Sequence, residues 1–137
     1  MPRVSRDEYA ANLEAIGELA GAAGAAVVLI TAPTSFERLG VHPAIVGTFA
    51  ADAAQAIERH REYNDIDREV ARRRGWGLAD LAREMPDERT PELMMTDGIH
   101  FTAAGLTWVA ERIASSIPAL DPRLHGLHDQ GAVSAVR

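Results

Sequence analysis

The segment 25–31 constrains the fold of this 137-residue chain more than any other stretch. Its sequence is Ala-Ala-Val-Val-Leu-Ile-Thr, in which apolar residues follow one another without alternation, and Pro33 ends the run. Strands that are buried on both faces have this pattern, which is typical of a parallel sheet covered by helices. The segment therefore predicts a strand inside an α/β fold.

The flanking segments predict a strand–helix–strand unit. Apolar residues recur at helical spacing over about 44–74, which predicts a long helix with a break near Gly47. A second, weaker strand is predicted over 76–81. A first helix is predicted over about 6–22, where Ser5 begins a capping-box pattern. Two strands joined through a helix are expected to be parallel with a right-handed connection. The predicted fold class is α/β with parallel strands.

The helical periodicities also predict which side chains face the core. On the long helix the core-facing set is Ile45, Phe49, Ala53, Ile57, Tyr63, Ile66 and Val70, and the solvent-facing set is Glu58, Arg59, Glu62, Asp65, Arg68, Glu69, Arg72 and Arg73. A last helix is predicted over about 103–116 and is expected to end at Pro118. Its apolar face consists of Leu106, Val109, Ala110, Ile113 and Ile117.

Composition narrows the classes of function. The net charge is -6 and the pI is near 5.3, which argues against nucleic acid as a partner because binding it requires a basic face. The chain has no cysteine, which excludes disulfides, thiolate metal sites and cysteine nucleophiles. No apolar run reaches the length of a membrane span, and no signal peptide is visible, so the default expectation is a cytoplasmic protein.

The stretch 96–105 carries the chemistry, with the sequence Thr-Asp-Gly-Ile-His-Phe-Thr-Ala-Ala-Gly. Its Asp-Gly pair favours a turn, and His100 follows just before the last predicted helix. A bent lead-in can fold the Asp97 carboxylate onto one imidazole nitrogen and leave the other facing outward. A carboxylate so placed fixes the tautomer of a general base and stabilises the imidazolium. In the alternative interpretation Asp97 only makes the turn, Thr102 caps the helix, and His100 is a surface residue.

The same stretch resembles the last sequence block of the SGNH (GDSL) hydrolase family, whose D-x-x-H motif supplies the Asp and His of a Ser-His-Asp triad. Three other stretches agree in order: Leu-Ile-Thr-Ala-Pro at 29–33, Tyr-Asn at 63–64 and Leu-Ala-Asp-Leu at 78–81. The resemblance covers about residues 5–117. It implies a flavodoxin-like three-layer sandwich of about five parallel strands.

The resemblance also implies a site and a reaction. Asp97 would orient His100 as the general base of a serine ester hydrolase that acts on a small ester or acylated substrate. No metal and no cofactor are implied, and neither nucleic acid nor membrane is expected as a partner.

The sequence departs from the family pattern in its nucleophile. It contains no Gly-Asp-Ser, no G-x-S-x-G elbow, and neither the Gly block nor the Gly-x-Asn-Asp block of the oxyanion hole. Ser35, the first serine after the predicted strand, lacks an elbow glycine and is interpreted as a loop residue at the cleft. The chain thus resembles the C-terminal part of such an enzyme, without the first three strands, and is expected to be inactive alone. The alternative is a non-catalytic remnant or subunit that packs with a partner chain or self-associates.

The expected domain organisation is one domain over 1–119 and a flexible tail over 120–137. The tail contains His125 and His128 with Asp129 adjacent, a spacing that suggests a metal site. A metal-dependent hydrolase using these histidines with the D-x-x-H pair is a third hypothesis. It ranks below the other two, because no regular element is predicted to hold the histidines on one face.

Overall fold

The computed structural model describes residues 4–120 of the chain. The elements of this part follow in the order α1 (Arg6–Ala22), β1 (Val28–Ile30), α2 (Phe36–Leu39), α3 (Ala53–Arg74), β2 (Gly77–Ala79), α4 (Leu81–Glu84), α5 (Thr90–Leu93) and α6 (Ala103–Leu120). A 3-10 turn, Asp87–Arg89, precedes α5. The predicted tail 120–137 lies outside the described residues except for Leu120, which ends α6.

The two strands form a parallel sheet, which confirms the predicted α/β class and the partial flavodoxin-like architecture. Val28 lies opposite Gly77 and Ile30 opposite Ala79. The strands are shorter than the predicted 25–31 and 76–81. The hydrogen bonds between the strands extend by one residue of β1's chain at each end. Gly77 N donates to Val27 O at 3.0 Å before β1, and Thr31 N donates to Ala79 O at 3.1 Å after it.

Strand β1 is not buried on both faces within residues 4–120. All three of its residues keep contact with solvent, and Ile30 is 43% exposed. The reason is that within residues 4–120 the sheet has only two strands, so β2 covers one edge of β1 and no strand pairs with the other. The apolar run therefore has the composition of an interior strand and the surroundings of an edge strand.

Helix α1 begins and ends where the sequence predicts. The hydroxyl of Ser5 accepts from the amide of Glu8, and the Glu8 carboxylate accepts from the amide of Ser5, which completes the capping box. Gly17 lets the helix lie directly against Trp76, because a Cβ at this position would stand 2.0 Å from the indole ring. Helix α1 thereby covers the lead-in to β2.

Helix α3 begins later than predicted. Residues 44–50 form turns, Gly47 has a φ of +84°, and the side chain of Asp52 caps the helix by accepting from Gln55 N at 2.8 Å. The break expected near Gly47 is therefore a separate loop. Phe49 lies on that loop and is 68% exposed, so its assignment to the core face was wrong.

The second half of the chain builds its own core under β2. Leu81, Leu93 and Trp108 are buried together, and Met85, Val109 and Ile113 pack against them. Helix α6 starts with Thr102 as its cap, since the Thr102 hydroxyl accepts from Gly105 N at 3.0 Å. The helix continues through Pro118 to Leu120 instead of ending there, and Leu106 on its predicted inner face is 59% exposed.

Candidate active site

Asp97 and His100 lie on a tight turn between α5 and α6. The turn is closed by a hydrogen bond from Met95 N to His100 O (2.8 Å) and by an isolated antiparallel bridge between Met94 and Phe101. Gly98 has a φ of +80°, a conformation that favours glycine. The predicted turn is therefore present, and its two flanks are tied together next to the start of α6.

The two predicted site residues are in contact. The Oδ2 atom of Asp97 lies 2.7 Å from Nδ1 of His100. The other carboxylate oxygen, Oδ1, accepts from the backbone amides of Ile99 and His100, both at 3.0 Å. The hydrogen bond from the His100 amide, followed by the imidazole and the Ile99 amide, holds the pKa of Asp97 well below its usual range. The carboxylate is consequently ionised at neutral pH and directed at the imidazole.

The geometry leaves Nε2 of His100 accessible. Within residues 4–120 no hydrogen bond reaches this nitrogen, and the His100 side chain is 70% exposed. Since Nδ1–H donates to Asp97, Nε2 carries the free lone pair of the neutral ring. An imidazole held in this way can accept a proton from a group that approaches from solvent.

The turn is attached to the carboxyl end of the sheet. Ser35, which follows β1 and precedes α2, donates its amide to Gly98 O at 3.0 Å. Phe36 lies under the same glycine, where an added Cβ would be 3.1 Å from the ring. Ligands of open α/β sheets bind in the crevice at this end of the strands, and the attachment places the Asp97 turn there.

Ser35 does not line an open cleft. Its side chain is 1% exposed, and its Oγ has no hydrogen-bond partner within the described residues. The hydroxyl lies beneath Gly98, where an added Cβ would approach it to 2.9 Å. Ser35 is thus a packing residue under the Asp97 turn, and the expectation that it lines the cleft was wrong.

A second polar network at the same end of the sheet was missed by sequence reasoning. Two nitrogens of the Arg68 guanidinium, Nε and Nη2, donate to the Asp80 carboxylate at 2.9 and 2.7 Å. Asp80 Oδ1 also accepts from the Thr31 hydroxyl at 2.8 Å. Arg68 was predicted to face solvent, but its side chain is only 17% exposed. Its hydrogen bonds to Asp80 are the main cause that lowers the pKa of that carboxyl. The network ties α3 to the ends of both strands.

Asn64 fixes the exit of β1. Its side-chain amide makes a two-way pair with the backbone of Ala32, accepting from Ala32 N and donating to Ala32 O, both at 2.9 Å. The side chain thus acts on Ala32 as a neighbouring strand would. The Tyr-Asn pair at 63–64 indicated this position in the sequence, although only its place on a helix was predicted.

The metal hypothesis gains no support from the described residues. Among residues 4–120 no group of three His, Asp or Glu side chains is arranged to hold an ion. His125 and His128, on which that hypothesis depends, lie outside the described part. In the same part of the chain, no helix has both the length and the apolar character needed to cross a bilayer.

Comparison with known proteins identifies the family. Residues 1–107 match the family model described as the GDSL-like Lipase/Acylhydrolase family, a segment that includes Asp97 and His100. Searches of curated proteins and of solved structures gave no match. Since the family model covers more than half of the sequence, this chain belongs to the GDSL-like lipase/acylhydrolase family.

Proposed function

We propose that this chain supplies the general base of a serine ester hydrolase, with Asp97 orienting His100. The observation that carries the proposal is the 2.7 Å contact between Asp97 Oδ2 and His100 Nδ1, made while Nε2 stays open to solvent. This is the arrangement that a base needs in acyl transfer, because one nitrogen is fixed and the other is free to accept the proton.

The proposed reaction has two proton transfers at Nε2. A serine hydroxyl gives its proton to Nε2 as its oxygen attacks the ester carbonyl, and the resulting imidazolium is stabilised by the Asp97 carboxylate. The same proton then passes to the departing alcohol, which leaves an acyl-enzyme. Water repeats the sequence and releases the carboxylic acid.

We propose that a separate polypeptide segment supplies the nucleophile and the oxyanion donors. The sequence has five serines and no Gly-Asp-Ser. Of the four within residues 4–120, Ser5, Ser115 and Ser116 bond locally on helices, and Ser35 is buried. None of these four serines forms a hydrogen bond with His100. The segment would be joined to this chain in a longer protein or would belong to a partner chain.

Two features support a docking place for that segment: one edge of β1 has no strand beside it within residues 4–120, and several large apolar side chains are exposed. Ile30 on β1, Ile16 and Leu19 on α1, and Leu106 on α6 are large apolar side chains that remain 43–73% exposed. An unpaired strand edge with exposed apolar neighbours is a surface that pairs readily with another strand. A parallel strand added there would widen the sheet as the family fold implies.

A non-catalytic role is the second candidate, favoured by the same absence of a nucleophile from the sequence. In that case the chain packs with a partner and performs no hydrolysis. The two candidates differ in one measurable respect, which is whether a completed complex needs His100.

The test is hydrolysis of p-nitrophenyl butyrate by this chain alone and by the chain combined with a Gly-Asp-Ser-bearing segment, either fused before Met1 or added separately. We expect no hydrolysis above buffer by the chain alone, because the oxyanion donors and the nucleophile each contribute large factors to the rate. The combination is expected to hydrolyse the ester.

Substitutions in the combined protein assign the roles. Asp97→Asn should lower kcat/KM about 10³- to 10⁴-fold, because the amide no longer holds the correct tautomer, and His100→Ala should lower it at least as much. His42→Ala is the matched control, since His42 is another exposed histidine on a loop, and it should leave the rate unchanged. If the combined protein stays active with His100→Ala, His100 is not the base. If the chain alone hydrolyses the ester and Ser35→Ala removes that activity, Ser35 is the nucleophile.

A further inference from the structure

We propose that the polar pocket between α3, the loop after β1 and the start of α4 binds a phosphoryl group, either as free phosphate or on a small phosphomonoester. Neither Asp97 nor His100 lines this pocket, so the proposal goes beyond the proposed function and does not depend on it. It follows from the hydrogen-bond donors of the lining and from the charges around them.

The lining is polar and comes from several elements. The pocket has a volume of about 310 Å³, and Thr34 and Asn64 are its uncharged polar walls. Open α/β sheets bind ligands in crevices at the carboxyl ends of their strands. This pocket lies at that end, since Thr34 follows β1 and Arg83 follows β2. Its charged or titratable walls are Glu37, His60, Arg61, Asp65, Arg68 and Arg83.

His60 contributes a neutral N–H donor. The side-chain amide of Asn64 is fixed in orientation by its two-way pair with Ala32, and its nitrogen faces Nδ1 of His60 at 3.5 Å. Because an amide nitrogen only donates, Nδ1 is the acceptor and the ring proton lies on Nε2. Burial lowers the pKa of His60, which keeps the ring neutral at pH 7. Within residues 4–120 no hydrogen bond occupies Nε2, so its proton is available to an acceptor in the pocket.

The two carboxylates of the lining are each held by an arginine. Nε of Arg61 donates to one oxygen of Glu37 at 2.9 Å, and Nη2 lies 2.7 Å from the other oxygen. Nη1 of Arg68 donates to Asp65 at 2.7 Å. The hydrogen bond from Arg61 is the main cause that lowers the pKa of Glu37. Neither carboxylate therefore presents an uncompensated negative charge to an anion.

Arg83 is the guanidinium that the carboxylates of the lining do not neutralise. It lies 3.5 Å from Asp80, whereas Arg68 binds the same carboxylate at 2.9 and 2.7 Å. The Arg83 side chain is 69% exposed, and a long, exposed ion pair contributes little, so a ligand can replace it. A guanidinium that donates to a phosphoryl oxygen makes a charge-assisted hydrogen bond, which is roughly twice as strong as a neutral one.

The donors reach the pocket from three elements, which favours a tetrahedral anion over a planar one. His60 lies on α3, Thr34 on the loop after β1, and Arg83 on α4. The oxygens of a phosphoryl group point in separate directions and can accept from all three side chains, whereas a carboxylate has two oxygens in one plane. The volume of the pocket leaves room beside the phosphoryl group for an ester substituent.

Calorimetric titration of the full chain with phosphate, glycerol 2-phosphate, sulfate and acetate, at pH 7 and constant ionic strength in sodium chloride, tests the site. The three tetrahedral anions are expected to bind at one site with a Kd about tenfold below that of acetate, because acetate reaches fewer donors. Tighter binding of glycerol 2-phosphate than of phosphate supports the site with a phosphomonoester as its ligand, and equal binding supports it with free phosphate. Acetate that binds as tightly as sulfate, or no binding in the presence of chloride, would overturn the proposal.

Two matched arginine substitutions distinguish the pocket from general attraction to positive side chains. Arg83→Ala should raise the Kd for phosphate about tenfold or more, because it removes a charge-assisted hydrogen bond. Arg72→Ala is the control, since Arg72 is 74% exposed and forms an ion pair on α3 outside the pocket. It should leave the Kd unchanged. Equal weakening by the two substitutions would show that the anion has no defined site, and the proposal would be wrong.

His60→Phe tests the second donor. Phenylalanine keeps an aromatic ring against Phe36 and removes the N–H. The Kd for phosphate should rise about five- to tenfold, which corresponds to the loss of one hydrogen bond. Thermal unfolding without ligand establishes that the variant is folded, and the exposed Arg83 gives an independent test if it is not. A folded His60→Phe chain with the phosphate affinity of the parent would contradict the proposed site.

Discussion

At the scale of single residues, Gly98 connects the fold to the chemistry. Its positive φ directs the chain so that the Asp97 carboxylate folds back onto His100, and its lack of a side chain leaves room for Ser35 beneath it. The glycine therefore serves two separate requirements, one of backbone conformation and one of space.

We predict that Gly98→Ala destabilises the protein by about 2–4 kcal/mol, since it combines a strained positive φ with a clash in a packed site. Gly24→Ala is the matched control, because Gly24 has a φ of +79° but nothing within 4 Å of an added Cβ. That variant should lose only about 1 kcal/mol. Urea denaturation measures both.

The clash with Ser35 is tested by the double variant. Ser35→Ala alone removes a buried hydroxyl that has no partner, so it should leave stability unchanged or slightly raised. Combined with Gly98→Ala it should recover part of the lost stability. Equal losses in Gly98→Ala and Gly24→Ala would show that the contact with Ser35 does not matter.

At the scale of secondary-structure elements, the Arg68–Asp80 pair determines how α3 sits on the ends of the strands. We predict that Asp80→Asn lowers the free energy of unfolding by about 2–4 kcal/mol, because it leaves a largely buried guanidinium without its carboxylate partner. Asp65→Asn removes the exposed partner of the same arginine and should cost less than about 1 kcal/mol. Similar losses in the two variants would contradict this account.

The same ion pair predicts that the free energy of unfolding decreases at acidic pH. The pKa of Asp80 is lowered in the folded state, so its contribution is complete above the ordinary Asp pKa of about 3.9 and is lost as the pH falls through the lower folded value. Asp80→Asn should flatten the dependence of unfolding free energy on pH below about pH 4.

His60 on α3 predicts a second pH dependence in a higher range. Burial lowers the pKa of His60, which packs edge-on against Phe36 with ring centroids 5.9 Å apart. Because the folded state favours the neutral ring, stability should be complete above about pH 6.5 and fall as the pH drops below that value. Denaturation of the parent and of His60→Phe between pH 5 and 8 measures this. A slope that persists in the variant would assign it to another group.

The sequence predicts these elements well where the cause is local. The capping box of α1, the turn at Asp97-Gly98 and the Asp97–His100 spacing depend on residues within a few positions of one another, and all three features are present. Arg68 could not be placed, because helical periodicity identifies apolar faces and contains no sign of the Asp80 carboxylate, which follows β2 twelve residues later. The inward turn of Ser35 likewise depends on Gly98, more than sixty positions away.

At the scale of the whole molecule, the described residues form a sheet that is covered unevenly. The long apolar run predicted an interior strand, yet within residues 4–120 one edge of β1 has no strand beside it, and large apolar side chains on β1, α1 and α6 are exposed. An apolar run favours burial of a strand, and it contains no information about which polypeptide segment covers that strand.

We predict that the isolated chain self-associates through this surface. Sedimentation velocity should show a weight-average mass that rises with concentration, because a two-stranded sheet with exposed apolar side chains gains stability by burying them. Ile16→Lys combined with Leu19→Lys should shift the chain towards monomer, whereas Phe49→Lys, on the loop before α3, should not. A parent chain that stays monomeric at all concentrations and unfolds sharply at high temperature would refute the prediction.

The two oxygens of the Asp97 carboxylate connect the positions of two neighbouring residues. Oδ1 accepts from the amide of Ile99 and Oδ2 lies against the imidazole of His100, so a substitution at Asp97 disturbs both residues together. Phe49 depends instead on Arg59, through a backbone carbonyl that any residue at that position retains. The side chain at Phe49 can therefore be exchanged without loss of the hydrogen bond that holds its loop, whereas no exchange at Asp97 leaves its neighbours unaffected.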